Sequence, residues 1–169
     1  ETVAAVANEA AEGEVCAAAN DNAPGQVVVS GAVGAIGRAI EIAKEKGAKR
    51  AMLLPVSAPF HCALMQPAAD AMAEALAEAG LVAPLVPLYA NVTAAPVADP
   101  DTIRRLLVEQ VTGTVRWRES VAAMAAAGVG HFVEFGGKVL GPMVKRIAPD
   151  AATSSVIAMG DIEALVGQW

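Results

Sequence analysis

The sequence is poor in aromatic residues, in charge and in cysteine. Of its 169 residues, 4% are aromatic and 18% are charged, whereas 55% are hydrophobic. Charge this sparse with apolar content this high excludes a disordered chain. Two cysteines, Cys16 and Cys62, are too few for the disulfide framework of a small secreted protein, and no Cys-x-x-Cys pair is present. The length fits one domain, or one domain with a small appendage.

A basic excess is also lacking. The chain has 18 acidic and 12 basic residues, so its formal net charge is -6, which argues against a nucleic-acid partner. The two histidines, His61 and His131, do not lie in a recognisable metal-ligand spacing. We therefore expect neither a nucleic-acid interface nor a metal site.

Two stretches without charged residues, Ala51 to Ala69 and Ala79 to Ala98, have the length of a membrane-spanning helix. Prolines interrupt both of them, which favours buried strands and turns over a membrane helix. The first residues also show no basic and apolar segments of a secretory signal. We expect a cytoplasmic protein with no membrane partner.

The first third of the chain predicts the order α-β-β-α-β. The predicted elements are a helix from Glu1 to Ala11, strands from Val15 to Ala19 and from Gln26 to Ser30, a helix from Gly31 to Gly47 and a strand from Ala51 to Val56. This order is a ferredoxin-like βαββαβ unit without its first, central strand. Either another polypeptide supplies that strand or the chain is part of a longer one, and we favour the second explanation.

The remainder alternates helices with strands. We predict helices at Ala63 to Ala79, Pro100 to Val111, Trp117 to Ala127 and Lys138 to Ile147, and strands at Leu85 to Asn91, His131 to Phe135 and Ser155 to Ala158. Such alternation is typical of a largely parallel sheet that helices cover on both faces. The sequence therefore predicts an α/β fold.

His61 is the first candidate for chemistry. It follows the strand predicted to end at Val56 and precedes the helix predicted from Ala63, and α/β folds build their sites at this edge of a sheet. The dipole at a helix N-terminus would keep the imidazole neutral, as a general base requires. The alternative is a histidine that caps a buried turn, and position alone does not decide between them.

Gln110 is the second candidate. On its predicted helix it follows Ile103, Leu106 and Leu107 on the apolar face. A buried amide without a partner costs on the order of 1–3 kcal/mol. Gln110 therefore bonds either a backbone group or a group of an active site.

Two further sets of polar residues have open interpretations. Asn20, Asn22 and Gln26 are either turn formers or ligand contacts. The basic residues of the second half form either a solvated face or a patch for an acidic partner; they are Arg104, Arg105, Arg116, Arg118, Lys138, Lys145 and Arg146.

Several runs of residues, in order along the whole chain, resemble the malonyl-CoA:acyl-carrier-protein transacylase family. The runs are Asn20 to Val28, Gly47 to Arg50, Pro55 to Met65, Tyr89 to Val92, Leu107 to Gln110, Val115 to Trp117 and Glu134 to Leu140. The most specific is Pro55-Val56-Ser57-Ala58-Pro59-Phe60-His61-Cys62-Ala63-Leu64-Met65.

The resemblance implies a fold and a reaction. Residues 1–56 would be a ferredoxin-like small subdomain without its first strand, and residues 57–169 the C-terminal part of an α/β-hydrolase-like large domain. The reaction would move malonyl from coenzyme A to the phosphopantetheine thiol of acyl-carrier protein through a seryl ester, in fatty acid synthesis. No metal or cofactor is implied.

The resemblance also assigns residues. His61 matches the histidine that takes the serine proton, and Gln110 matches the residue whose side-chain or main-chain oxygen orients the imidazole. Phe60 matches a bulky residue that crowds the acyl α-carbon and disfavours a methylmalonyl branch. The remaining expected substrate contacts are Asn20, Asn22 and Gln26.

The sequence departs from the family in what it lacks. No Gly-His-Ser-x-Gly motif occurs, and the family's glutamine-containing oxyanion loop and malonyl-clamping arginine are absent. Gly136-Gly137 is one residue shorter than the expected Gly-x-Gly. The expected partners are therefore malonyl-CoA, acyl-carrier protein and the N-terminal half of the same protein. The alternatives are a non-catalytic fragment or paralogue that binds carrier protein or CoA, and an acyltransferase domain of a polyketide synthase.

Overall fold

A computed structural model describes residues 2–167 and has the mixed α/β architecture that the sequence predicts. The elements in chain order are α1 (Thr2–Ala11), β1 (Cys16–Ala23), β2 (Gln26–Gly31), α2 (Val33–Glu45), a 3-10 turn (Ala63–Met65), α3 (Gln66–Ala77), β3 (Leu88–Ala90), β4 (Ala95–Val97), α4 (Pro100–Thr112), α5 (Trp117–Ala126), β5 (His131–Phe135), α6 (Leu140–Ile147), β6 (Ala152–Val156) and α7 (Met159–Val166).

The N-terminal unit is a helix pair beside a two-stranded hairpin. Strands β1 and β2 pair antiparallel around a tight turn at Gly25, whose φ of 72° suits glycine. Helices α1 and α2 pack against this hairpin through a core of Val6, Ala10 and Ala39. The small side chains let the two helices approach closely, so this unit is held together mainly by alanine-sized contacts.

The strand predicted at residues 51–56 is not formed, so this prediction was wrong. None of the strands within residues 2–167 pairs with the segment. Its larger side chains are exposed, namely Met52 (52%), Leu53 (66%), Leu54 (49%) and Val56 (62%). A strand needs a neighbour that accepts and donates ladder hydrogen bonds, and the segment has none in this part of the chain.

The predicted, largely parallel sheet is also corrected. Among the strands of the described residues, β5 and β6 form the one parallel pair, apart from an isolated parallel bridge, and β3 and β4 form a separate antiparallel pair. Strand β3 is shorter than the predicted strand from Leu85 to Asn91, and neither β4 nor α7 was predicted. Three residues of pairing are too few to leave a periodic pattern in the sequence.

The C-terminal unit is a β-α-β arrangement in which α6 connects β5 to β6. Val121 of α5, Val144 of α6 and Ala151 form its core, and Trp117 and Phe132 pack against them. Helix α5 thus covers the same side of the parallel pair as α6, because both contribute to one cluster.

Polar contacts join the N-terminal hairpin to the C-terminal unit. Asn20 of β1 forms a parallel bridge with Val115, just before α5. Asp21 accepts two-pronged hydrogen bonds from Arg118, with the shortest N–O distance at 2.6 Å. Arg146 donates to Gln26 Oε1 at 2.6 Å. Arginines of α5 and α6 therefore attach the hairpin to the C-terminal unit through charge-assisted hydrogen bonds.

Candidate active site

His61 lies in a segment without regular structure, immediately before the 3-10 turn. The expectation that His61 lies just past the end of a parallel strand is wrong, because the strand predicted to end at Val56 is not formed. Its backbone has a φ of 59°, in the left-handed region that residues other than glycine seldom adopt. Such strain persists only where surrounding contacts hold it, and it is concentrated at functional sites.

The His61 ring is held by a main-chain oxygen. Its Nδ1 lies 2.8 Å from the carbonyl oxygen of Gln110. Because a carbonyl can only accept, Nδ1 must carry the hydrogen, and the neutral ring then keeps its lone pair on Nε2. No hydrogen bond occupies Nε2 in residues 2–167. The ring is half-buried and has the tautomer of a general base.

The end of α4 supplies the carbonyl. Asp99 caps the N-terminus by accepting from the Thr102 amide at 2.8 Å, and Pro100 takes the first helical position. At the other end the Gly113 amide bonds the Glu109 oxygen at 2.9 Å. The last carbonyls of a helix have no partner within the helix, so the Gln110 oxygen is free for His61.

This geometry corrects the expected electrostatics. Nδ1 contacts the C-terminal end of α4 rather than the N-terminus of the following helix. A helix C-terminus carries partial negative charge, equivalent to roughly half an electron. The contact therefore places the partially negative end of α4 against Nδ1 of the ring.

The Gln110 oxygen that contacts His61 is the main-chain oxygen, not the side-chain oxygen. The Gln110 side chain turns elsewhere, and its Oε1 accepts a hydrogen bond of 2.8 Å from Asn91 Nδ2. Sequence reasoning did not single out Asn91 as a site residue. The signal was an amide side chain at the end of a short apolar strand, inside a stretch without charges.

Phe60 and Cys62 flank His61 with opposite environments. The Cys62 side chain is 1% exposed, and its Sγ donates to the Pro59 oxygen at 3.2 Å. Phe60 is 48% exposed. Because Cys62 is buried while the Phe60 ring is exposed, Phe60 is available to contact a ligand beside His61.

The three polar hairpin residues divide into two groups. Gln26 is engaged by Arg146, so its side chain serves the fold. Asn20 and Asn22 are half-buried on β1. Asn20 forms a bridge with Val115, which follows Gln110 by five residues in the chain. The segment from Gln110 to Val115 thus contacts His61 at one end and the hairpin at the other.

The predicted basic patch is smaller than the sequence suggested. Four of its arginines form ion pairs, namely Arg104 with Asp101, Arg105 with Glu109, Arg116 with Glu119 and Arg118 with Asp21. The hydrogen bond from Arg116 lowers the pKa of Glu119 despite partial burial. Lys138, Lys145 and Arg146 remain as the cations outside these pairs.

The Gly136-Gly137 turn is shaped by Glu134. The carboxylate accepts from the amides of Val139, Leu140 and Gly141 at the start of α6, at 2.8 to 3.2 Å. Burial raises the pKa of Glu134, but these three bonds outweigh it and the pKa is lowered. Gly136 has a φ of 84°, in the left-handed region that favours glycine, and a Cβ at Gly137 would lie 2.7 Å from the carboxylate, so that side chain would have to shift.

No serine of the described chain is hydrogen-bonded to His61. Ser120 Oγ donates to the Arg116 oxygen, and Ser154 Oγ lies 2.8 Å from His131 Nε2. The second pair joins the neighbouring parallel strands β5 and β6. Within residues 2–167, His61 therefore has a base's geometry without a nucleophile.

Residues 2–167 contain neither a cluster of metal ligands nor a membrane-spanning helix. No group of three or more histidine, cysteine, aspartate or glutamate side chains is placed to hold a metal ion. No helix in this range has the length and apolar character needed to cross a membrane.

The chain is 48% identical over 157 residues to the malonyl CoA-acyl carrier protein transacylase of Escherichia coli K12, a match that covers 92% of this chain and 50% of that protein. The solved acyl-carrier-protein S-malonyltransferase of Bartonella henselae superposes with a TM-score of 0.94 at 49% identity. That superposition covers 99% of this chain and 54% of the other. This chain is a homologue of part of malonyl-CoA:acyl-carrier-protein transacylase.

A further malonyl transacylase, solved in complex with the acyl-carrier protein of a type II polyketide synthase, superposes with a TM-score of 0.94 at 36% identity. It too is matched over 99% of this chain and 54% of its own length. No family model matches the chain. The chain thus spans about half the length of the transacylases it matches.

Proposed function

We propose that this chain provides the general base of a malonyl transferase that moves malonyl from coenzyme A to acyl-carrier protein in fatty acid synthesis. The supporting observation is the 2.8 Å contact from His61 Nδ1 to the Gln110 carbonyl, which assigns the hydrogen of a neutral ring to Nδ1, while Nε2 has no hydrogen-bond partner within residues 2–167. The other half of the transferase, which the matched relatives possess and this chain lacks, would supply the serine.

The reaction runs through two acyl transfers. In the first, His61 Nε2 takes the serine proton while the serine oxygen attacks the malonyl thioester carbon; the C–S bond then breaks, and the coenzyme A sulfur receives the proton. In the second, Nε2 takes the proton of the phosphopantetheine thiol while its sulfur attacks the carbonyl carbon of the seryl ester; the C–O bond to the serine then breaks, and the serine oxygen receives the proton. The carbonyl end of α4 stabilises the imidazolium in both steps.

The expected substrate contacts belong to this proposal. Phe60 lies beside the base with an open side chain, where it would crowd a branch on the acyl α-carbon. Asn20 and Asn22 would contact coenzyme A or the pantetheine arm from β1. Gln26 would act indirectly, since Arg146 already holds its amide oxygen.

The finer fold assignment is proposed on the same basis. Residues 1–56 form a ferredoxin-like small subdomain that receives its central strand from the absent half, which would cover the exposed apolar segment at residues 51–56. Residues 57–169 form the second part of an α/β-hydrolase-like domain around β5 and β6. We place the reaction in the cytoplasm, where both unpaired cysteines would remain reduced.

The test uses the full-length protein, meaning this chain joined to the remaining half that its relatives possess. We expect malonyl transfer from malonyl-CoA to acyl-carrier protein, and a covalent malonyl adduct on the intact protein by mass spectrometry. His61→Ala should lower turnover by about 10²–10⁴-fold, because proton transfer is lost. His131→Ala is the matched control and should keep turnover within about twofold. Unchanged turnover in His61→Ala would reject the assignment.

Two alternatives have their own outcomes in this experiment. A non-catalytic fragment or paralogue would bind coenzyme A or carrier protein and never form the adduct, even when the sequence upstream of Glu1 is included. An acyltransferase domain of a polyketide synthase would form the adduct but transfer malonyl preferentially to a polyketide carrier protein. The match to a transacylase bound to such a carrier protein gives this second alternative its support.

A further inference from the structure

Asn91 joins three elements at the edge of the His61 site. It follows β3 directly, and its side-chain amide donates to Gln110 Oε1 at 2.8 Å. Its own carbonyl accepts from the Arg116 amide at 2.9 Å. The Arg116 guanidinium in turn donates to the carbonyls of Val92 and Thr93. Both the main-chain amide and the guanidinium of Arg116 thus bond the turn after β3, and these bonds fix the backbone that carries the Asn91 amide.

Gln110 lies where a helix is least able to hold its own geometry. In the last turn of α4 its carbonyl has no intrahelical partner, and helix ends fray readily. The residue is held instead at two points, by Asn91 on its side chain and by His61 on its carbonyl. If either contact is removed, a single hydrogen bond remains to hold the last turn of α4 at Gln110.

From this arrangement we infer that Asn91 is a positioning residue for His61 and acts through Gln110. Its hydrogen bond fixes Gln110 so that the main-chain oxygen stays at hydrogen-bond distance from Nδ1. The catalytic consequence rests on the proposed function, whereas the structural coupling does not. Asn91 makes no hydrogen bond to His61 within residues 2–167, so its effect on the ring passes through Gln110.

The strain at His61 makes this coupling consequential. With a φ of 59°, the residue keeps its conformation only while its contacts hold it, and its ring has one hydrogen bond within residues 2–167. A displacement of the carbonyl by about 1 Å would break that bond, and errors of this size in a catalytic group lower rates by about a hundredfold.

Nuclear magnetic resonance of the 169-residue chain with ¹⁵N-labelled histidine tests the coupling directly. The sequence contains only His61 and His131, so the second ring serves as an internal reference. In Asn91→Ala we expect the His61 Nδ1 hydrogen to exchange with water at least about tenfold faster, since its acceptor is no longer fixed. Signals of His131 should remain unchanged.

Three further variants separate positioning from general damage. Gln110→Met removes the same side-chain bond from the other partner and should reproduce the His61 change. Asn91→Asp should restore the wild-type signal, because the Gln110 amide can rotate and donate to the new carboxylate. Thr93→Ala, at an exposed position of the same turn, is the matched control and should have no effect. Should Asn91→Ala not fold, a difference between Gln110→Met and Asn91→Asp supports the coupling, and identical behaviour overturns it.

Activity of the full-length protein gives the second readout. Asn91→Ala should lower kcat by about tenfold or more with KM for malonyl-CoA within about twofold, since substrate binding is not touched. An unchanged His61 signal in Asn91→Ala overturns the inference, whatever happens to the rate. If the His61 signal changes as expected but wild-type protein transfers no malonyl, the proposed function fails and the positioning role of Asn91 stands.

Discussion

Two neighbouring stretches of this chain, residues 51–56 and residues 59–62, are held in opposite ways. The first is almost wholly apolar, yet its large side chains are exposed and it pairs with no strand in the described chain. The second is short and irregular, but Cys62 is buried and His61 is bonded to the end of α4. Hydrophobicity alone therefore does not order a segment, because burial also requires a partner surface.

The contrast also separates two kinds of contact. Residues 59–62 are positioned by directional hydrogen bonds from elements within this chain, so their geometry is complete here. Residues 51–56 are apolar throughout but have no hydrogen-bonded strand as a partner within residues 2–167. The hydrogen bond on His61 thus comes from within the described chain, whereas residues 51–56 find no strand partner there.

The largest effect is expected in the amide exchange of residues 51–56 when the other half of the protein is present. Its presence should remove the contrast between the two stretches. In the 169-residue chain, backbone amides of residues 51–56 should exchange with solvent nearly freely. In the full-length protein the same amides should be protected by about a thousandfold or more, since interior ladder amides open only with much of the fold. Hydrogen exchange read by mass spectrometry measures both states.

Strand β2 provides the matched control for that measurement. Its amides already pair with β1 in this chain and should be protected in both proteins. Equal, rapid exchange of residues 51–56 in the full-length protein would contradict the proposed small subdomain. It would leave the geometry at His61 untouched.

A smaller effect is expected at Phe60, which belongs to the held stretch but exposes its ring. In the full-length protein, Phe60→Ala should raise the ratio of methylmalonyl to malonyl turnover by about tenfold, because a pocket distinguishes one methyl group by about 10–200-fold. Initial rates with each acyl-CoA measure the ratio. Leu64→Ala, at a similarly exposed apolar position on the 3-10 turn, is the control. An unchanged ratio in Phe60→Ala would remove Phe60 from the selectivity site.

The comparison also explains how much the sequence could reveal. Six of the seven α-helices in the described residues were predictable, because apolar spacing and caps, such as Asp99 before Pro100, are local signals, whereas α7 was missed. His61 and Gln110 stood out as a histidine after an apolar run and an amide on an apolar helix face. The main-chain bond between them could not be predicted, because a backbone carbonyl leaves no trace in residue identity.

The wrong predictions have a common physical origin. Residues 51–56 have the composition of a strand, but pairing is a property of two segments and the second is not present here. The helix dipole at His61 was assigned to the next helix in sequence, whereas the ring contacts the end of α4, 49 residues away. Both cases needed long-range geometry that a single sequence does not contain.

The smallest expected effect lies at the far end of α4 from His61. Hydrogen bonds from the side chain and the amide of Thr102 lower the pKa of Asp99. The cap is therefore stabilising above the ordinary aspartate pKa of about 4, and its contribution is lost as pH falls through the lowered folded-state pKa. Asp99→Ala should lower Tm slightly at pH 7, and the difference from wild type should disappear in strong acid.

Because the cap fixes only the start of the helix, the His61 Nδ1 hydrogen should exchange at its wild-type rate in this variant. A change there as large as that in Asn91→Ala would mean that the whole helix, rather than its last turn, positions the base.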